Sequence, residues 1–433
     1  MTPAADRAAH WAREQTVLGP GISQAVQWAG LVVTRAEGAH LWDADGRRIT
    51  DLMGGAGVNL IGHSHPDFVR ALTAQMSEWM IGAHASNARL EMTEQFADLL
   101  PARLGRIQLY SGGSEAVEAA VRLAKAATGK FEVLSFWNAF HGRTAGSLAL
   151  TGGARKGLGP TGPGTMSVPF ANCYRCPLRQ THPGCGFACV EFARDTLRQQ
   201  SSGALAAILV EPVQGRAGNV VPPPGYLSAL RGLADEYDAL LIADESMTGM
   251  GRTGALLACD HERVGPDVVV LGKGIGAGYP VSAVLASTAL MTSGPFGEPS
   301  ANSSSYGGFP TACRAVAAVT RIISDGHLAE RAAELGERAL DVLLERLRGV
   351  ALVGEVRGKG LAIGIELVAD RKTRTPIGKE DLHAVFDQLL AAGVLVMTGG
   401  NNLRLYPPLT VGEDDLLGAV ETIADVLRRH EKA

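Results

Sequence analysis

The apolar positions of this chain follow two periods. Leu240 to Ala243 is continuously apolar and stops at Asp244, and Val268 to Leu271 is continuously apolar and stops at Gly272-Lys273. Leu205 to Val210 is a run of the same kind, stopping at Glu211, and Ile107 to Tyr110 and Phe131 to Trp137, each broken by polar residues, also read as strands. Short unbroken runs bounded by polar or glycine signals suit parallel strands buried on both faces. Between them helical spacing is predicted over Phe68 to Met80, Glu91 to Leu100, Glu115 to Thr128 and Leu227 to Glu236. In the third of these Ala116, Val117, Ala120, Val121 and Ala124 share a face, with Ser114 placed to cap the start and Gly129 the end.

The two ends of the chain read differently. Leu31 to Thr34, Ala39 to Trp42 and Arg48 to Leu52 are separated by Glu37-Gly38 and by Asp43-Ala44-Asp45-Gly46, which predicts a small antiparallel meander. After the Ser303–Gly308 stretch, helical patterns over Thr311 to Ile323 and Leu328 to Leu347 precede strands at Leu352 to Val356, Leu361 to Leu367 and Val394 to Met397. A helix around Leu382 to Ala392 and a final one complete the order. The alternation over 107–290 predicts an α/β fold with a large, mostly parallel sheet. The expected division is a large domain over 67–324 and a smaller α+β domain built from both ends, 1–66 and 325–433.

Composition narrows the function classes. The chain has 433 residues, 46% hydrophobic, with formal net charge −4, enough for a large core and without a basic footprint for nucleic acid. No run of eighteen apolar residues suggests a membrane span, and the start, MTPAADRAAHWAREQ, has no signal-peptide core. A soluble cytoplasmic protein, with neither nucleic acid nor membrane as partner, is therefore expected. Six cysteines are too few for a disulfide scaffold.

The candidate chemistry lies at the strand ends. In parallel sheets ligands sit beyond the carboxyl ends of the strands. Asp244 and Lys273 would then face one crevice, a pairing that suits pyridoxal phosphate, although both can also be ordinary solvated loop residues. Ser111-Gly112-Gly113-Ser114 between a strand and a helix is a candidate anion site built from backbone N–H groups and the helix dipole. Phe140 and His141 follow another strand, where an aromatic can stack on a flat cofactor; Arg143 can grip a carboxylate. The glycine-rich stretch from Met53 to Pro66 reads as a flexible turn or a close backbone approach. Cys173, Cys176, Cys185 and Cys189 form C-x2-C-x8-C-x3-C, which can hold zinc; the second pair departs from the usual spacing, so neighbouring free thiols are the preferred reading. Gly274 to Gly278 lacks the full dinucleotide fingerprint and lies deep in the chain.

Taken in order, these segments resemble the class III (omega-type) pyridoxal-phosphate-dependent aminotransferases, the fold-type-I group of 4-aminobutyrate, ornithine and acetylornithine aminotransferases. The matching motifs are D-x-x-G-G from Asp51, G-H-x-H-P from Gly62, S-G-G-S-E-A from Ser111, F-H-G-R-T from Phe140 and E-P-V-Q-G from Glu211. They continue with A-D-E from Ala243, T-G-x-G-R-T-G from Thr248, G-K-G from Gly272 and R-L-x-P-P from Arg404. The resemblance implies that Lys273 carries pyridoxal 5'-phosphate covalently and shuttles the proton. It implies that Asp244 keeps the ring nitrogen protonated, that Gly113 and Ser114 cup the phosphate, and that Phe140 stacks on the ring beside His141. Ser305 stands where the family reaches the phosphate of the neighbouring subunit, which implies a homodimer with shared active sites. Arg404 matches the arginine for the α-carboxylate, and Arg143 and Glu211 match residues that select the distal end of the substrate.

Some positions depart from the family. Ser246-Met247 replaces a valine and a glutamine, and Met247 offers the cofactor's phenolic oxygen no donor. Ala56-Gly57 stands where relatives carry Ile-Ala, which enlarges the substrate side, and Phe309 replaces an asparagine. The expected activity is transfer of an amino group between a small-molecule donor, glutamate, and an oxo-acceptor, by a ping-pong route. Racemisation or epimerisation, or elimination, on the same fold is the alternative, and a catalytically silent cofactor-binding regulator is a third class.

Overall fold

In the computed structural model the uninterrupted apolar runs are strands of one sheet. The structure describes residues 3–153 and 156–431, with side chains from Ala9 onward. The chain divides into two units, residues 67–329 and residues 1–66 with 330–433. The expected boundary at 324/325 cuts the end of the helix Pro310–Asp325; the division falls slightly later, inside the helix Leu328–Arg346.

The larger unit holds a seven-stranded sheet. Its order is Arg106–Tyr110, Ser282–Ala286, Val268–Leu271, Leu240–Asp244, Leu205–Val210, Glu132–Phe136 and Thr165–Val168. Ser282–Ala286 runs antiparallel to both its neighbours, while the other pairings are parallel. Central strands are buried at every position from Leu205 to Val210 and from Val268 to Leu271, as two-sided cover by helices requires. Helix Gly113–Thr128 lays Ala116, Val117, Ala120, Leu123 and Ala124 on that sheet and ends at Gly129, whose φ of 67° suits glycine. Because these strands are parallel, the residues that end them, Asp244, Glu211 just past Val210, and Lys273 just past Leu271, emerge at one edge.

Two expectations need correction here. Ser114 does not cap its helix: the helix begins at Gly113 with Gly112 as its N-cap, and the Ser111 N–H is taken at 3.0 Å by the Glu115 carboxylate instead. The strand Thr165–Val168 lies between the strands expected at Phe131 to Trp137 and at Leu205 to Val210, where the sequence pattern gave none.

The smaller unit has two sheets. Val33–Glu37, His40–Asp43 and Arg48–Asp51 form the antiparallel meander, extended by Val394–Leu395 in parallel. Val353–Lys359, Ala362–Asp370, Asn402–Leu405 and Met397–Gly399 form the second, with Thr375–Pro376 beside it. The single strand expected over Val394 to Met397 is thus divided between two sheets, Leu395 pairing with Asp51 and Met397 with Arg404. The Met53–Gly57 segment is not a loose turn. Asp51 accepts from the N–H groups of Met53 (2.9 Å) and Gly54 (3.0 Å) and pairs with His63 Nε2 at 2.8 Å. A side chain at Gly54, where φ is +56°, would overlap the Tyr406 carbonyl, so the backbone approach there needs glycine. Among the described residues no helix is long and apolar enough to cross a membrane.

Candidate active site

The strand Leu240–Asp244 delivers a carboxylate into a dry place. Asp244 is 4% exposed, and its Oδ2 accepts from His141 Nδ1 at 2.8 Å, while Oδ1 accepts from the Ser246 N–H at 3.1 Å. Burial pushes the carboxyl pKa up, but the hydrogen bond and charge of His141, the charge of Lys273 and the Ser246 contact together hold it below its ordinary value. A carboxylate is acceptor only, so His141 donates from Nδ1. His141 is itself fully buried, and its Nε2 has no hydrogen-bond partner among the described residues.

Lys273 begins a short 3-10 turn, Lys273–Gly276, after extended Gly272. Its φ is +44°, a left-handed conformation that costs a lysine about 1–2 kcal/mol and is retained where the surroundings impose it. The side chain is half-buried. Ser246 Oγ lies 3.2 Å from where a Cβ on Gly272 would stand, so the serine fills the space between Asp244 and the lysine turn.

Phe140, His141 and Arg143 sit on the loop that leaves the strand Glu132–Phe136, two places from Leu240–Asp244 in the sheet. The Phe140 N–H donates to Glu211 Oε2 at 2.9 Å and the His141 N–H to Thr151 Oγ1 at 3.0 Å. Glu211 Oε1 accepts from the Gly215 N–H at 3.3 Å. Burial pushes Glu211 up to about 7; the charges of His141 and Lys273 and the Phe140 N–H oppose this, and Asp244 adds to it. The Arg143 N–H donates to Ser114 Oγ at 3.1 Å, which joins this loop to the start of helix Gly113–Thr128. A Cβ on Gly142 would overlap the hydroxyls of Ser114 and Ser147, so glycine lets the loop close.

Pyridoxal phosphate fits what these residues offer. A Cβ added at Gly112 or Gly113 would meet no atom within 4 Å, leaving open space before the first-turn N–H groups and the positive end of the helix. Phe140 is half-buried, with the guanidinium carbons of Arg143 and Arg216 5.6 and 5.1 Å from its ring centroid. The buried, ionised Asp244 matches a protonated ring nitrogen, and Lys273 stands on the same edge of the sheet.

The structure brings together Asp244, His141, Glu211, Phe140, Arg143, Ser114 and Gly113 through the contacts above, with Lys273 in electrostatic reach of Asp244 and Glu211. Met247 is half-buried, and Ser305 is exposed on the loop before helix Pro310–Asp325. Arg404 and Ala56 belong to the other unit. Arg404 is 4% exposed in the strand Asn402–Leu405 and donates from Nη2 to the Thr398 carbonyl at 3.0 Å. Ala56 has a φ of +62°. Three contributors carried no sequence signal: Thr151, Ser246 as a partner of Asp244, and Arg216, whose guanidinium carbon is 5.1 Å from the Phe140 ring centroid.

Cys173, Cys176, Cys185 and Cys189 line one hollow with His182 and Phe187. All four are free thiols, and burial pushes Cys189 up to about 11. Among the described residues no group of three or more His, Cys, Asp or Glu is arranged to hold a metal ion.

Comparison with known proteins identifies the family of this chain. Residues 22–427 match the family model described as aminotransferase class-III. An acetylornithine aminotransferase of Methanopyrus kandleri is 37% identical over 92% of this chain and 94% of its own. A leucine/methionine racemase of Thermococcus litoralis is 32% identical over 90% and 89%. Among solved structures, a thermostable (S)-enantioselective omega-transaminase from Thermomicrobium roseum superposes with a TM-score of 0.90 at 31% identity, covering 98% of each chain. An amine transaminase from an uncultivated Pseudomonas species, in its PLP-bound form, has a TM-score of 0.87 at 33% identity over 95% and 98%.

Proposed function

The chain belongs to the class-III aminotransferases, which use pyridoxal 5'-phosphate, and we propose that it moves the amino group of glutamate to an oxo acid in two half-reactions. The bound cofactor supplies an aldehyde that takes up the amino group and a ring that accepts the electron pair of the broken Cα–H bond. Lys273 would hold the cofactor covalently at rest and would take up and return the proton at the substrate's Cα. Asp244 keeps a proton on the ring nitrogen, and His141 fixes the carboxylate's orientation by donating to Oδ2. Phe140 covers one ring face, and the Gly113 and Ser114 N–H groups hold the phosphate. Arg143 takes the distal carboxylate, and Glu211 braces Phe140 from below. The roles of Arg404 for the α-carboxylate, of Ala56 in widening the substrate side, of Met247 beside the cofactor and of Ser305 toward a second copy rest on the family resemblance; a homodimer with shared sites follows from the last.

The observation that carries this reading is the buried Asp244 carboxylate, paired with His141, on the sheet edge where Lys273 emerges. The test is one half-reaction. Holoenzyme mixed with L-glutamate should lose the aldehyde-form absorbance and release one 2-oxoglutarate per site. Absence of both would remove glutamate as the donor.

A second reading, racemisation, is favoured by Ser246-Met247 and by the racemase among the relatives. Incubation of single enantiomers in D2O separates the two. Deuterium at Cα with inversion and no oxo product would establish racemisation, whereas oxo product with conversion of the cofactor to its amine form supports transfer.

A further inference from the structure

We infer that the hollow between helices Gly113–Thr128 and Ala145–Leu150 is a second ligand site, which takes a small amphipathic acid: an apolar chain ending in one carboxylate. The hollow has a volume of about 310 Å³, within the range of small-molecule pockets. Its floor is Val121, Val133, Ala149 and Leu150, with Pro163 and Thr165 on one side. Val133 and Thr165 are partners at the start of two parallel strands, Glu132–Phe136 and Thr165–Val168. The hollow therefore lies toward the end of the sheet opposite to Asp244, Glu211 and Lys273, apart from the cofactor crevice. Val133 and Leu150 belong to the core that joins helix Gly113–Thr128 to the sheet. An apolar chain lying against them removes that surface from water.

The charge at the rim selects the other end of the ligand. Arg122 and Lys125, three residues apart on helix Gly113–Thr128, line the hollow. Neither side chain makes an ion pair or a hydrogen bond among the described residues. Glu118, four residues before Arg122, is the helical neighbour placed to neutralise it, but its carboxylate is committed elsewhere. Its Oε1 accepts from the Gly146 N–H at 3.0 Å, from the Ser147 N–H at 3.1 Å and from the Thr144 hydroxyl, which fastens the start of helix Ala145–Leu150. A cation in the last turn of a helix complements its dipole, which accounts for Lys125 by itself but not for the apolar hollow beside it. A neutral ligand leaves both cations without an anion, and a diacid sets its second charge on the apolar floor. One carboxylate at the rim with its chain inward satisfies both surfaces.

The experiment is equilibrium titration of the holoenzyme, by calorimetry, with octanoate, butyrate and 1-octanol. The proteins are the wild type, the double variant Arg122→Gln/Lys125→Gln, and Ala145→Leu, which places a larger side chain in the hollow without changing charge. The expected result is one octanoate per chain, bound at least about ten-fold more tightly than butyrate because the longer chain buries more apolar surface. The double variant should weaken octanoate by about three- to ten-fold and leave 1-octanol unchanged, since exposed cations contribute modestly. Ala145→Leu should weaken octanoate and 1-octanol together. No saturable octanoate binding to the wild type, as when a second copy of the chain covers the hollow, would overturn the site. So would octanoate affinity unchanged in either variant, as when the acid binds in the cofactor crevice. These titrations require no turnover, so their outcome is independent of which amino donor the enzyme uses.

Discussion

His141 Nδ1 donates to Asp244 Oδ2 at 2.8 Å, and both side chains are buried, at 0% and 4% exposure. The contact joins the end of the strand Leu240–Asp244 to the loop after Glu132–Phe136 and holds an ionised carboxylate in the interior, where an unpaired one would be driven to take up a proton. Asp244→Asn keeps the shape and removes the charge. It should lower the rate of the glutamate half-reaction by on the order of 10²–10³. His141→Asn should fall between that variant and the wild type, with weaker cofactor retention after dialysis. Single-turnover absorbance measurements check both.

Glu211 supplies a pH signature. Burial places its carboxyl at about 7 against an ordinary 4.5. Between those values the folded chain holds a proton that the unfolded chain has released, so this group's contribution is full below 4.5 and is lost as pH rises through 7. Unfolding free energies of wild type and Glu211→Gln, measured at about pH 5 and about pH 8, should differ in their pH dependence by up to ~3 kcal/mol, with the wild type losing more on going alkaline. Equal pH dependence in the two proteins would remove Glu211 as a neutral-range titrating group.

Gly142 lets the Phe140 loop close on the phosphate side. Gly142→Ala would drive its Cβ into the Ser114 and Ser147 hydroxyls at a φ of +142°. The expected loss is about 1–3 kcal/mol of stability, with cofactor affinity falling because Ser114 must move. Denaturant titration of the apoprotein and equilibrium titration with pyridoxal phosphate separate the two effects.

The cysteine hollow should behave as free thiols. Cys173 is exposed and should react first with a thiol reagent, whereas the thiol of Cys189, pushed up to about 11, should react slowly near neutrality. Elemental analysis of protein purified without chelator should give zinc well below one equivalent. A stoichiometric zinc signal would reverse this reading.

What the sequence made legible depended on how far each signal reaches. The strands ending at Asp244 and before Lys273 were readable because a two-sided buried strand leaves an unbroken apolar run with an abrupt end. Thr165–Val168 was not, since a four-residue strand between glycine and proline carries too little pattern. Val394 to Met397 reads as one strand because apolar continuity does not report that the chain crosses from one sheet to another. Ser114 reads as a cap because its type suits one; the side chain of Glu115 satisfies Ser111 instead. Arg216 was invisible because its contact with Phe140 follows from strand adjacency, which no local pattern records. The roles taken from the family motifs remain proposals that the substitutions above test.

The central claim is that Lys273 carries the cofactor. Its place past the apolar end of Val268–Leu271, half-buried and within electrostatic reach of Asp244, separates it from ordinary surface lysines. Wild-type holoenzyme is reduced with borohydride, digested and mapped for the pyridoxyl group by mass spectrometry, alongside Lys273→Ala. The expected result is modification of Lys273 in the wild type, and a variant that folds and binds cofactor without a covalent link and without turnover. A pyridoxyl group on Lys125, Lys130 or any lysine other than Lys273 would contradict the assignment of this site.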